Sequence, residues 1–325
     1  MMKHQRTILV TAAGGHIGSK LVPFLLDQHV KLVLPTSNAG RLQSGLPPTA
    51  TSDNVIVEEG SIKDPRWVEA ILNKHAMDTV FLCLTGVDEL LVAVNFLDAM
   101  QRAGCVRHFV YLSACGDFLS PQGVEQIMRT CSAAHVLVKT TIEQKIAYGG
   151  FSWTTTTLGP TLFFVNDERN KDSLLKDGFF GEPLGEEGVS RVSTSDIALA
   201  ACNAILQPER WAGKKVMIGS SHRYTGLEIC SVWAKAVGRE VKMRPSDQDS
   251  IALFERDFAT ARASVFGPVM AKAWARDFKL VYEYFSEQGF GMSEAEYAEQ
   301  VELLGREPES YEAWVKKTAG SWLGV

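Results

Sequence analysis

At 325 residues, 46% of them hydrophobic and 22% charged, the chain has the composition of a globular protein with a substantial buried core. A net charge of −5, with no basic block longer than Lys214-Lys215 or Lys316-Lys317, argues against nucleic acid as a partner. No apolar run is long enough to span a bilayer, no signal-peptide organisation is visible, and the six cysteines are scattered without metal-ligand spacing, so no membrane association is expected and cytoplasm is the expected compartment.

In chain order, Ile8-Leu9-Val10 reads as a short buried strand. It runs into the small residues Ala12, Ala13, Gly14 and Gly15 and then Gly18, while Ile17, Leu21, Val22, Leu25 and Leu26 carry the periodicity of a helix. Pro23 within that helix predicts a kink or local irregularity. Val30–Leu34 and Asn54–Val57 predict a second and a third strand, Pro65–Asn73 a helix, and Thr79–Leu84 a fourth strand apolar on both faces. An amphipathic helix over Asp88–Ala103 ends at Gly104, a natural C-cap. His108–Leu112 is the fifth strand, with Ser113 at its carboxyl end; a helix over Val136–Tyr148 and a sixth strand, Trp153–Leu158, follow. Residues 161–190 read as loop. A helix over Thr194–Leu206 is led by Ser195-Asp196, and Val216–Ile218 is a further strand. Beyond Thr225 the pattern is helical, with aromatics at Trp274, Phe278, Tyr282, Tyr284 and Phe285.

This alternation calls for an α/β fold, a doubly wound parallel sheet of the Rossmann type with right-handed crossovers, joined to a smaller, mostly helical C-terminal lobe. The expected division places the nucleotide-binding domain at 1–160, with 190–221 returning to it. Residues 161–189 and 222–325 form the lobe that holds substrate over the carboxyl edge of the sheet, where such folds bind ligands.

The strand, small-residue turn and helix make a phosphate-binding element. Bulky Cβ groups must be absent there so that backbone N–H groups can approach a pyrophosphate at a helix N-terminus. The candidate cofactor contacts are Thr11, Ala12, Gly14, Gly15, His16, Ile17 and Gly18. An NAD site of this type has a carboxylate near the end of the second strand, yet Gln28–Ser52 contains none. Thr36, Ser37, Asn38 and Arg41 stand there instead, and hydroxyls with a guanidinium suit a 2′-phosphate, so NADP(H) is the expected cofactor. Arg41 also reads as a solvated loop residue.

None of the seven tyrosines is followed by lysine four residues on, so the Tyr-x-x-x-Lys pair of short-chain reductases is absent. The corresponding region carries His135 and Lys139, one helical turn apart. An imidazole can replace a phenol as proton donor, and the lysine can bond ribose hydroxyls. Each also has a structural reading: His135 as a helix N-terminal residue, Lys139 as a surface lysine, and Ser113 as a strand end rather than a group that polarises substrate. No Ser-His-Asp, metal or paired-carboxylate constellation stands out.

Several stretches resemble the NmrA-like members of the atypical short-chain dehydrogenase/reductase group: Val10–Gly18, Glu58–Pro65, His108–Ala114, His135–Gln144, Ser152–Asn166, Ser193–Ala201 and Gly305–Val315. The resemblance covers nearly the whole chain. It implies a Rossmann domain that binds NADP, with Ala12, Gly15 and Gly18 in the pyrophosphate loop and Lys139 at the nicotinamide ribose. Ala12 stands where the first glycine is usual.

Three functions are compatible with these expectations. The first is an NADPH-dependent reductase acting on a C=N, C=C or C=O bond of a small aromatic, alkaloid-like or polyketide-like metabolite in secondary metabolism. The second keeps NADPH as a wall of the pocket while a cyclisation, condensation or isomerisation proceeds without net redox. The third is a non-catalytic NADP(H)-sensing regulator that binds a protein partner. Oligomerisation is left open.

Overall fold

The computed structural model describes residues 5–84 and 86–324; Met1 to His4, Thr85 and Val325 lie outside the described residues. The first half alternates strand and helix as the periodicity predicts. Strand β1 (Thr7–Val10) leads to α1 (Gly18–Leu26), β2 (Lys31–Thr36) to α2 (Ala39–Ser44), and β3 (Val55–Glu59) to α3 (Pro65–His75). Then come β4 (Thr79–Leu82), α4 (Glu89–Ala103), β5 (His108–Leu112), α5 (Pro121–Thr130), α6 (Ala134–Tyr148) and β6 (Thr154–Pro160). Helix ends follow local chemistry. Asp64 caps α3 by accepting from the N–H groups of Arg66 and Trp67, with Pro65 in the first turn, and Gly104 closes α4 at φ +64°.

Residues 161–190, expected as loop, instead contain β7 (Leu162–Phe163), a 3-10 helix (Phe164–Asn170), α7 (Lys171–Asp177), β8 (Phe179–Phe180) and the start of β9 (Val189–Val192). Pieces this short are below the length at which alternation can be read. Helix α8 (Thr194–Leu206) is capped by Ser193 rather than led by Ser195-Asp196, because the Ser193 hydroxyl accepts the Ser195 N–H. After α9 (Pro208–Trp211) come β10 (Lys215–Ile218), β11 (Arg223–Tyr224), α10 (Gly226–Val237) and β12 (Lys242–Met243). The C-terminal helices are α11 (Gln248–Phe266), α12 (Pro268–Gln288), α13 (Glu294–Leu304) and α14 (Tyr311–Leu323). The short helices α2 and α5 had no sequence expectation. Helix α1 continues through Pro23 to Leu26, although the proline has no N–H to donate to the Ser19 carbonyl.

Seven parallel strands form the main sheet in the order β10-β6-β5-β4-β1-β2-β3. The chain winds outward from β1 to β3 and then returns to β4, so the topological switch point lies between β1 and β4. The pleat sends alternate residues to opposite faces. Ile8, Val10, Leu32 and Leu34 pack against Leu21 and Leu25 of α1 and Ile197 and Ile205 of α8. Leu9, Val33, Val80 and Leu82 pack against Ile71 of α3 and Phe96 and Met100 of α4. The doubly wound Rossmann fold is therefore present as expected.

A second core joins Phe164, Phe180, Trp233, Phe254, Tyr282, Phe285 and Tyr311. Helix α13 lies outside that cluster and inserts Leu303 and Leu304 into the sheet-side core, and its buried Gln300 amide donates to the Gly219 carbonyl at 2.8 Å. Among the described residues no helix is long and apolar enough to cross a membrane, and no cluster of three or more His, Cys, Asp or Glu could hold a metal ion.

Candidate functional site

The turn after β1 is built on Thr11. Its N–H donates to the Phe81 carbonyl at 3.1 Å, and its hydroxyl accepts the Cys83 N–H at 2.8 Å, which ties β1 to β4 at the switch point. Thr11 is fully buried and its hydroxyl serves this link. Ala12 takes a left-handed φ of +52°, and its carbonyl accepts the Gly15 N–H at 2.9 Å. A methyl on Gly18 would run into the Ala12 carbonyl and lie 2.6 Å from Ala13 Cα, so α1 packs against the turn at a distance only glycine allows. Gly14, Gly15 and His16 are exposed, whereas the side chain of Ile17 is in the core. Among the described residues nothing accepts from the N–H groups of Gly14, His16 or Ile17. Unpaired donors in a small-residue turn at the start of a helix fit a dinucleotide pyrophosphate.

At the end of β2 the Thr36 hydroxyl bonds with Asn38, and Asn38 caps α2 by accepting the Arg41 N–H at 2.8 Å. Ser37 and Arg41 are exposed, and the Arg41 guanidinium has no partner among the described residues. The structure thus keeps Thr36, Ser37 and Arg41 together in one tight turn. It also brings in Glu59, whose carboxylate accepts the Ala39 N–H at 2.9 Å.

On the other side of the switch point lies a buried polar cluster. The Lys139 ammonium pairs with the Glu89 carboxylate and lies 5.4 Å above the Tyr111 ring, and the Tyr111 hydroxyl donates to the same Glu89 oxygen at 3.2 Å. Beside it the Ser113 hydroxyl donates to Glu143, which also accepts from Lys215 at 2.7 Å. Burial pushes the Glu143 carboxyl up against the opposing pull of Lys215 and Ser113, and burial pulls the Lys215 ammonium down against the pull of Glu143. The second Glu143 oxygen and the Thr140 hydroxyl are buried without a partner among the described residues. Burial raises Cys83 to about 11 and Cys115 to about 12, so both stay thiols near neutral pH.

His135 keeps different company from Lys139, although one turn of α6 separates them. Its Nδ1 meets the Asp277 carboxylate of α12, and its ring stacks on Phe278 at 5.4 Å with Trp274 at 6.3 Å. Helix α6 has no cap of its own, since Ala133 precedes it; Asp277 fills that place by accepting the Ala134 N–H at 2.5 Å. Glu89, Tyr111, Lys215 and Asp277 were not singled out as site residues from sequence. Glu143 was legible there as the glutamate that follows His135 and Lys139 in the family-like stretch His135–Gln144.

A model of the NmrA-like family matches residues 4–305. The chain is 25% identical to the NAD(P)H azoreductase of Xenophilus azovorans over 236 residues, covering 72% of this chain and 75% of that protein. Its fold is similar to that of an NADPH-dependent quinone oxidoreductase from Escherichia coli solved with NADPH, with a TM-score of 0.75, 18% identity and coverage of 96% and 99% of the two chains. It is likewise similar to the triphenylmethane reductase of Citrobacter sp. solved with NADP(H), with a TM-score of 0.73, 18% identity and coverage of 96% and 99%. The family match spans both the small-residue turn after β1 and the helical region that carries Asp277: the chain belongs to the NmrA-like family.

Proposed function

We propose that the protein is an NAD(P)H-dependent oxidoreductase, with NADPH preferred, that reduces a C=N, C=C or C=O bond in a small, flat, largely aromatic molecule. The observation that carries this reading is the exposed turn Gly14-Gly15-His16, where the N–H groups of Gly14, His16 and Ile17 are unpaired among the described residues, at the switch point of a sheet whose next crossovers carry the Lys139–Glu89 pair. A nicotinamide cofactor, when bound, supplies the hydride. Backbone groups of Ala12 through Gly18 hold the pyrophosphate, and Thr36, Ser37 and Arg41 receive the phosphorylated ribose. Glu89 holds Lys139 at the sheet's carboxyl edge, where the ammonium bonds the nicotinamide ribose and supplies positive charge. Ser113 polarises the substrate only once its hydroxyl turns from Glu143, which holds its single proton here, and His135, oriented by Asp277, handles the proton. Trp274 and Phe278, half-buried beside His135, form an aromatic wall that suits a planar substrate.

Residues 161–189 and most of 222–325 serve as the substrate lobe in this reading, a metabolite of secondary metabolism is the substrate, and the protein works in the cytoplasm. The azoreductase relative supports the redox assignment, and that enzyme is named for both nicotinamide cofactors. Titration calorimetry with NADP⁺, followed by the loss of NADPH absorbance against azo dyes, quinones and cationic triphenylmethane dyes, tests the proposal. Oxidation of NADPH with stoichiometric reduced product supports it. Product formation without NADPH loss points to a non-redox enzyme, and NADP-dependent capture of a protein partner without turnover points to a regulator.

A further inference from the structure

Glu59 sits beside the residues assigned to the phosphorylated ribose, and its charge opposes that assignment. In the parallel register Glu59, the last residue of β3, stands opposite Thr36, the last residue of β2. The Gly60 N–H donates to the Thr36 carbonyl at 2.8 Å, so the two strand ends are held together. From there the exposed Glu59 carboxylate crosses to accept the Ala39 N–H, two residues from Ser37 and two from Arg41. Its neighbour Glu58 is engaged elsewhere, by Lys74 at 2.7 Å and His75 at 2.6 Å. Glu59 has no ion-pair partner among the described residues, so its negative charge is not cancelled locally.

We infer that Glu59 limits cofactor selectivity. Its carboxylate can accept from a free ribose hydroxyl and repels a 2′-phosphate, so the site takes NADH as well as NADPH. This rests on the reading of the turn and of Thr36, Ser37 and Arg41 as the nucleotide site. The opposing charges share one small, solvated turn, where Arg41 attracts the phosphate and Glu59 offsets much of that attraction. Solvent screening keeps the effect moderate, about tenfold in relative affinity.

Calorimetry with NADP⁺ and NAD⁺ on the full chain tests this. Glu59→Gln removes the charge while retaining an acceptor for the Ala39 N–H, and Glu59→Ser serves as a second neutral variant. Both should raise the ratio of NADP⁺ to NAD⁺ affinity by about tenfold at low salt, chiefly through tighter NADP⁺, with the gain shrinking at high salt. Arg41→Gln should move the ratio the other way. If both nucleotides bind and neither Glu59 variant shifts the ratio beyond about twofold, Glu59 has no part in selection. If wild type and variants bind neither nucleotide, the nucleotide-site reading itself fails, and this inference with it.

Discussion

Asp277 and His135 couple the helical lobe to the sheet: one carboxylate oxygen of Asp277 accepts the first N–H groups of α6 while the other meets the His135 imidazole. A residue of α12 therefore does the work of an N-cap for a helix that begins 143 residues earlier. Asp277→Ala should lower stability by about 1–2 kcal/mol in urea titrations, the usual loss on removing a cap. Asp277→Asn keeps an acceptor for the N–H groups and should cost less.

If His135 handles the proton, His135→Ala should slow NADPH oxidation with the preferred dye at least about a hundredfold while leaving the NADP⁺ dissociation constant unchanged. Full turnover in that variant removes the proton-donor role and leaves His135 as an anchor of the lobe.

The buried pair Lys139–Glu89 should show strong coupling. Lys139→Met alone leaves the Glu89 carboxylate uncompensated beside Tyr111 and should cost about 3–5 kcal/mol. The double variant Lys139→Met with Glu89→Leu should recover much of that loss, as measured by denaturant unfolding, yet should remain poor in NADPH oxidation. Simple additivity of the two single changes would show that the ion pair is energetically idle.

The turn should respond to single methyl groups in a defined order. Gly18→Ala forces a methyl against the Ala12 carbonyl and should cost about 2–4 kcal/mol. Gly14→Ala meets only Leu42 Cδ1 at 3.4 Å, an ordinary contact, and should change stability by less than about 0.5 kcal/mol. Ala12→Gly relieves a left-handed alanine and should stabilise by up to about 1 kcal/mol, with the gain read from the midpoint of thermal unfolding.

Acid sensitivity should arise in part from His108. It is buried at the start of β5, with Nδ1 2.9 Å from the Thr154 hydroxyl, and burial, aided by the Arg6 charge, lowers it from 6.5 to about 4. The native state holds the ring neutral while the unfolded chain takes up a proton below about pH 6.5. The stabilisation is therefore complete above pH 6.5 and is lost as pH falls from there toward 4, by about 3 kcal/mol at most. His108→Gln should flatten the stability–pH curve across that window; an unchanged slope would assign the acid lability to other groups.

The amino-acid sequence by itself determined the sheet, its winding and the small-residue turn after β1. Those features are local: β-branched runs, helical spacing and small residues at Ala12 through Gly18 each specify a few consecutive backbone conformations. The pieces within 161–190 escaped because two-residue strands display no period. Only the tertiary structure decided which charges meet. Lys139 finds Glu89 across 50 residues, Lys215 finds Glu143 across 72, and Glu59 reaches Ala39 across 20. In sequence each of these groups is indistinguishable from a solvated side chain on a helix or loop. Its partner is chosen by strand order and helix packing, because an ion pair or a borrowed cap depends on distance in space rather than on separation along the chain.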